Sequence, residues 1–287
     1  MFSKIRERLS AYTWDLAYGI YSDKIIKNGL DWDNLHFVKN PYKTKWFADP
    51  FILTEDSNTI QFLVEEFDSH VKKGRIARIV VDKRDDEVKE CHIILELPTH
   101  LSFPAIYRVG GTIYVHPENS ESGNSTLYRY DEIKDRLVDP LIVVESPLTD
   151  AIIDDDYNNG SYKMYATIRS QSSGPILEVY ESTDIQSLFI NTNRIDYGRL
   201  TARMAGHFIN TPEGKIRPAQ DCNYDYGEAV LFYKGSEVIG EFRPHGWRFG
   251  GLHTFNTNGN SFVIDLKKYD FAWLHFQIKR LKRLFNR

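Results

Sequence analysis

Five times along this chain a polar or small residue leads into an apolar run, a turn follows, and a second strand ends in polar groups. The first unit starts at Trp46–Leu53 (WFADPFIL) and continues through Ile60–Asp68. The plan returns at Phe103–Tyr107 before Gly110-Gly111 and TIYVHPE, and at Asp150–Ile153 before Asn159-Gly160 and SYKMYAT. It recurs at Ala205–Ile209 before Glu213-Gly214 and KIRPAQD, and at His253–Asn256 before Asn258-Gly259 and NSFVID. Alternation with a period of two marks half-buried strands, and the glycine-containing pairs mark the turns between them. The anchors Asp49, Pro104, Asp150, Ala205 and His253 recur about every 50 residues, the period of a propeller blade. The pattern predicts an all-β fold, a five-bladed β-propeller over residues 12–266.

The ends differ from the repeats. Residues 1–11 read as a short basic helix, with Phe2, Ile5 and Leu9 on one side and Lys4, Arg6 and Arg8 on the other. Trp14–Ser22 alternates like a strand and is expected to complete the last blade, because a propeller must close its ring. Lys24–Lys45 reads as an irregular entry segment. Residues 267–287 predict a basic amphipathic C-terminal helix, with Leu274, Ile278, Leu281 and Phe285 at helical spacing. Lys279, Arg280, Lys282, Arg283 and Arg287 carry its charge, with no acid from Phe271 onward. Such a helix suits an anionic membrane surface, or else packs on the propeller with its basic face in water.

Composition narrows the class. A chain that is 41% hydrophobic and 26% charged is globular, and 14% aromatic residues suit both sheet cores and sugar sites. A net charge of −4 argues against a nucleic-acid partner, and two cysteines cannot make a disulfide framework. The start lacks the apolar core of a secretory signal, and no run approaches the ~20 apolar residues of a membrane span. The expectation is a cytoplasmic protein, peripheral on the inner face of the cytoplasmic membrane if the tail binds lipid.

In a propeller the innermost strand of each blade runs along the central axis, so residues at its start converge on one mouth. That rule gathers Asp49, His100, Asp150, Arg203 and His253, with His207 close behind. Second strands add Glu65 or Glu66, Glu118, Arg217, Gln220 and Asp221, and Tyr226 follows. Alternation turns one of Glu65 and Glu66 inward, and Glu66 is taken as that residue. Carboxylates, histidines and arginines gathered in one funnel are costly to desolvate, which points to a binding or catalytic purpose. Each also has a structural alternative: Asp49 before Pro50 can cap a turn, Glu118 can hold a strand end, and Tyr226 can be core.

WFADPF, VEEF, HLSFP, YVHPE, Asp150, RMAG, RPAQDCNYDYG and HTFN together resemble the propeller domain at the N-terminus of glucosamine inositolphosphorylceramide transferases. The resemblance covers about Trp14–Asp265, and RPAQDC with HTFN is its most specific part. It implies kinship with stand-alone bacterial domains encoded among surface-polysaccharide genes. It also implies a fold similar to five-bladed furanosidase propellers, where one aspartate is base or nucleophile, a glutamate is acid and a second aspartate tunes. By position Asp49 corresponds to the first aspartate and Asp150 to the second. Arg203 and Arg217 stand where a plain hydrolase would show the acid, and this departs from simple hydrolysis.

The expected activity is a glycosyltransferase of cell-surface polysaccharide (lipopolysaccharide O-antigen or capsule) assembly. Asp49, Asp150, Glu66 and Asp221 are its catalytic candidates. His100, Glu118, Arg203, His207, Arg217, Gln220, Tyr226 and His253 are its binding candidates. The arginines and histidines would hold a phosphorylated donor, such as a pentofuranosyl or phosphoribosyl unit, for a glycan or lipid-linked glycan acceptor. Mg²⁺ could bridge a diphosphate to Asp221 or Asp49, although no ligand spacing demands it. The alternatives are a furanosidase-like hydrolase and a non-catalytic carbohydrate-binding propeller.

Overall fold

The computed structural model describes residues 11–158 and 161–285. Met1–Ser10, where a basic helix was expected, lie outside the described residues. Five four-stranded antiparallel sheets form the blades of a propeller. The first strand, β1 (Tyr12–Ile20), does not start a blade of its own. Helix α1 (Lys24–Asn28) and the short β2 (His36–Phe37) follow, giving some order to the stretch read as irregular.

Blade one is β3 (Lys45–Glu55), β4 (Thr59–Asp68), β5 (Lys73–Asp82) and β6 (Glu87–Leu95). Blade two is β7 (Ser102–Val109), β8 (Thr112–Glu118), β9 (Ser125–Asp131) and β10 (Arg136–Val144). Blade three is β11 (Leu148–Asn158), β12 (Ser161–Ile168), β13 (Ile176–Ser182) and β14 (Ile190–Asp196). Blade four is β15 (Ile209–Thr211), β16 (Gly214–Asp221), β17 (Ala229–Lys234) and β18 (Glu237–Phe242). Blade five begins with β19 (Phe255–Thr257) and β20 (Ser261–Tyr269) and is completed by β1 and β2 from the other end of the chain. β1 runs antiparallel to β20 from Tyr12↔Tyr269 to Ile20↔Ser261, which closes the ring. That pairing extends β20 to Tyr269, so helix α2 (Ala272–Phe285) starts later than the expected residue 267.

Sheets bury both faces between neighbouring blades. Phe51, Phe103, Tyr107 and Ile153 join blades one to three, and Phe232, Phe242, Phe255 and Phe262 join four to five. Leu16, Tyr18, Phe47, Phe62 and Val263 seal five against one. Each such side chain contributes about 1.5–3 kcal/mol by leaving water.

One backbone feature sets the site. Asp49, Phe103 and Asp150 occupy the left-handed region at φ 50°, 45° and 46°, and each lies within a register shift between the first and second strands of its blade. A non-glycine residue there is strained by about 1–3 kcal/mol, and the bulge re-aims its side chain. The strain recurs at one position of three blades. It turns Asp49 and Asp150 out of their strands and toward the axis.

Candidate active site

The mouth holds a cavity of about 510 Å³ lined by Asp49, Glu65, His100, Glu118, Arg203, Tyr226 and His253, with aromatic walls. Its polar side chains fall into two linked groups.

The first is centred on His253. Its Nδ1 lies 2.7 Å from Asp265 Oδ2 and its Nε2 lies 3.4 Å from Asp49 Oδ1, so the ring bridges two carboxyl groups. Asp265 is fully buried and also accepts the backbone N–H groups of Asp49, His253 and Thr254. Asp49 accepts Thr254 Oγ1–H at 2.9 Å and the Phe103 N–H at 3.2 Å. Burial pushes the Asp49 carboxyl up to about 7, with the neighbouring carboxylates adding to the effect and His253 opposing it. Burial would lower the His253 pKa, but the charges of Asp265 and Asp49 outweigh it and raise it. Trp14 stacks on the imidazole at 3.9 Å between centroids and fixes its plane.

The second group is Glu118, Asp150 and Arg203. Arg203 grips Asp150 with Nε at 2.5 Å and Nη2 at 3.1 Å, and its Nη2 reaches Glu118 Oε2 at 3.4 Å. Gln220 Nε2 donates to Asp150 at 2.5 Å from behind. Burial alone would raise Asp150, but the guanidinium holds it below the usual carboxylate range. Asp150 therefore stays ionised. Burial, reinforced by that Asp150 charge, pushes Glu118 up to about 8, so Glu118 holds a proton at neutral pH. The pair is set apart as acid and base partners are in other enzymes: one carboxyl ionised, one protonated.

His100 completes the rim. Its Nδ1 accepts the Gly74 N–H at 2.9 Å while its Nε2 lies 3.2 Å from Glu65. Gly74 is required here, because a Cβ would sit 2.7 Å from Glu65 Oε1 and 2.8 Å from the imidazole. The stacked pair Trp46 and Phe67, 4.7 Å apart, stands beside it, and Tyr226 lies under Arg203 at 5.1 Å. Aromatic faces of this kind present C–H-binding platforms to a sugar ring, while the polar groups fix its hydroxyls.

The structure thus gathers Asp49, His100, Glu118, Arg203, Tyr226 and His253 around one cavity, with Asp150 and Gln220 directly behind. It corrects four placements. Glu66 is fully buried and bound to Arg75 and Lys45, whereas Glu65, pairing with Ala48 at the inner edge, faces the cavity. Arg217 lies outside the cavity, between the Tyr197 and Tyr233 rings at 4.2 and 4.7 Å, donating to the carbonyls of Ala202 and Thr201. Asp221 binds Arg243 at 2.9 Å and Asn223, also away from the cavity. His207 packs edge-on against Phe51 and Tyr107 rather than lining the mouth. Sequence reasoning missed Asp265, Tyr12, Trp14 and Trp46. The signal for Asp265 was its place on the strand that follows His253, where β20 crosses behind the inner turn.

Asp49, His253 and Asp265 offer ligand atoms within 4.8 Å of one another. Their fit to Mg²⁺ is poor, because Asp265 already accepts three backbone N–H groups and the His253 ring, and Mg²⁺ prefers carboxylates and water in an open octahedron. Asp221, held by Arg243, is no better placed.

A family model described as glucosamine inositolphosphorylceramide transferase 1, N-terminal, matches residues 36–242. The Arabidopsis thaliana protein named glucosamine inositolphosphorylceramide transferase 1 is 23% identical over 205 residues, 69% of this chain and 26% of that protein. Its namesake from Oryza sativa subsp. japonica is 23% identical over 210 residues, 70% of this chain and 27% of that protein. The match therefore spans about a quarter of those relatives' length. Among solved structures, the α-L-arabinofuranosidase of Podospora anserina in complex with cellotriose superposes with a TM-score of 0.53 at 9% identity. That overlap takes in 76% of this chain and 90% of the arabinofuranosidase, and it is a likeness of fold.

Proposed function

The chain belongs to the glucosamine inositolphosphorylceramide transferase 1 N-terminal family, and on that premise we propose that it is a glycosyltransferase of cell-surface polysaccharide assembly, either lipopolysaccharide O-antigen or capsule. It moves a sugar from a phosphorylated donor to a glycan acceptor at the propeller mouth. The observation that carries this reading is geometric: two buried carboxyls, Asp49 and Glu118, meet Arg203 and His253 around one aromatic-walled cavity, and burial raises both carboxyls into the range where they can exchange protons near neutral pH.

In the transfer step Asp49 removes the proton from the acceptor hydroxyl as the new bond to the sugar's anomeric carbon forms. His253, fixed by Asp265, stabilises the charge at Asp49. The bond from the anomeric carbon to the donor phosphate breaks, and Glu118 protonates the departing oxygen. Arg203, locked by Asp150, offers the remaining edge of its guanidinium to the phosphate. Such acid–base help contributes about 10²–10⁴ in rate. A pentofuranosyl donor such as phosphoribosyl pyrophosphate would set a phosphate against Arg203 at the cavity wall.

One observation favours a second reading. Two carboxyls facing one cavity also suit hydrolysis of a glycosidic bond by water. Incubation with nucleotide sugars and phosphoribosyl pyrophosphate, with and without oligosaccharide acceptors, separates the two. The transferase reading requires donor consumption that depends on acceptor and falls in Glu118→Gln. Release of reducing sugar from furanosyl oligosaccharides without any donor would replace it with hydrolysis.

A further inference from the structure

Helix α2 is fastened to the propeller along one side only. Lys279 Nζ binds Asp225 at 2.9 Å and the Gly250 carbonyl at 2.5 Å, and one turn earlier His275 stacks flat on Tyr269 at 3.8 Å. On the side turned away from these contacts Trp273, Leu274 and Leu281 are 61%, 38% and 54% exposed. Those positions share a helical face. A helix that merely packs on its domain turns such a face inward. Here the cation Lys279 faces the protein while Trp273, Leu274 and Leu281 face out, which is unlike a solvated surface helix.

We infer that this face docks on an anionic lipid bilayer. The charge argues for lipid over a second copy of the chain. From Phe271 to the end there are five Lys or Arg and no acid, so two such helices would repel across a shared interface. An apolar strip flanked by exposed Arg280 matches the interfacial helices that settle at the boundary of headgroups and acyl chains. Among the described residues no helix is long and apolar enough to cross a membrane, so α2 would lie on the surface. Tyr269, under His275, also meets the ring of Tyr12 edge-on at 5.9 Å, and Tyr12 lines the cavity. Helix α2 therefore runs beside the mouth, and a bilayer bound to its outer face is held on that side of the propeller. Resting on the transferase reading, this placement favours an acceptor whose glycan is carried on a lipid.

Flotation of the full chain with vesicles tests the docking. Binding is expected to phosphatidylcholine vesicles containing phosphatidylglycerol, and to weaken at least ~tenfold without the anionic lipid or at high salt. Trp273→Glu with Leu281→Glu should abolish flotation while leaving melting temperature and turnover of a soluble acceptor unchanged, since both side chains are exposed and outside the cavity. Arg280→Gln should weaken binding about fivefold. Failure of the wild-type chain to float with anionic vesicles overturns the inference, as does full binding by the double variant. Conversion of a dimer to a monomer by the double variant, without vesicle binding, would give the face to a second copy instead. None of these outcomes depends on which sugar is transferred.

Discussion

Arg203 and Arg217 leave blade four 14 residues apart in sequence and end in opposite surroundings. Arg203 is bound by Asp150 and Glu118, and three groups compete for two charges at the edge of a cavity. The result is a carboxyl, Glu118, that keeps its proton at neutral pH. Arg217 is shut between two tyrosine rings with two carbonyls on its N–H groups, and it does not line the cavity at the mouth. Both arginines are buried and polar, so burial does not mark function. What separates them is whether the network leaves a proton or a charge free to act on something that enters. The cavity network does; the tyrosine cage holds a strand and its neighbouring loop together.

The sharpest way to break this contrast is to neutralise the two cavity carboxyls. Asp49→Asn and Glu118→Gln should each lower the transfer rate by about 10²–10⁴. Stability should move the other way for Glu118→Gln. The folded-state pKa of Glu118 is raised above its unfolded value, so its contribution to stability is lost as pH rises through about 8. Glutamine can still accept the Asp150 N–H and meet Ser120, and it carries no such penalty. A thermal melt at pH 8 should therefore show Glu118→Gln at or above the wild-type temperature. A large drop would make Glu118 a structural residue.

Arg217→Ala is the mirror experiment. It leaves two carbonyls and two ring faces unpartnered and should cost about 3 kcal/mol, read as a lower denaturant midpoint. Rate per folded molecule should stay near wild type. A fall of a hundredfold in rate without loss of stability would return Arg217 to the donor site.

The pH profile tests the same proton count with a smaller effect. Activity needs Asp49 ionised, so the rate should rise with pH through about 7. It also needs Glu118 protonated, so the rate should fall above about 8. Each limb changes tenfold per pH unit. Removing the Asp150 charge with Asp150→Asn should move the alkaline limb downward, because that charge helps to raise Glu118.

The same contrast explains what the sequence could show. Blade number, ring closure by β1 and the meeting of Asp49, His100, Glu118, Arg203 and His253 follow from a period of about 50 and from inner-strand position. What position alone could not give is direction. Glu65 and Glu66 are adjacent, and a register shift between Ala48 and Phe51 decides which faces inward. The bulge arises from a left-handed Asp49, which no pattern of hydrophobicity records. Arg217 sits in the densest polar run of the chain, and only the approach of Tyr197 from blade three turns it into a caged cation. Asp265 was passed over because it lies in the middle of an ordinary strand, and its carboxylate acquires meaning only beneath the turn that carries His253.

Asp221 offers the finest test. Its Oδ1 accepts the backbone and side-chain N–H groups of Asn223 at 3.1 and 2.6 Å, and its Oδ2 faces Arg243 at 2.9 Å. In Asp221→Asn one oxygen can keep the Asn223 bonds, and the new amide meets the guanidinium with no attraction. Arg243 is not orphaned by this, since Glu228 lies at 3.1 Å and Glu241 beside its Nε. Its side chain is also 28% exposed, so water screens the loss. The substitution should therefore cost about 1 kcal/mol in stability and leave the transfer rate within a factor of two. A rate loss beyond tenfold would mean that this polar pair reaches the reacting atoms after all, and that the division between a working network and a holding one has been drawn in the wrong place.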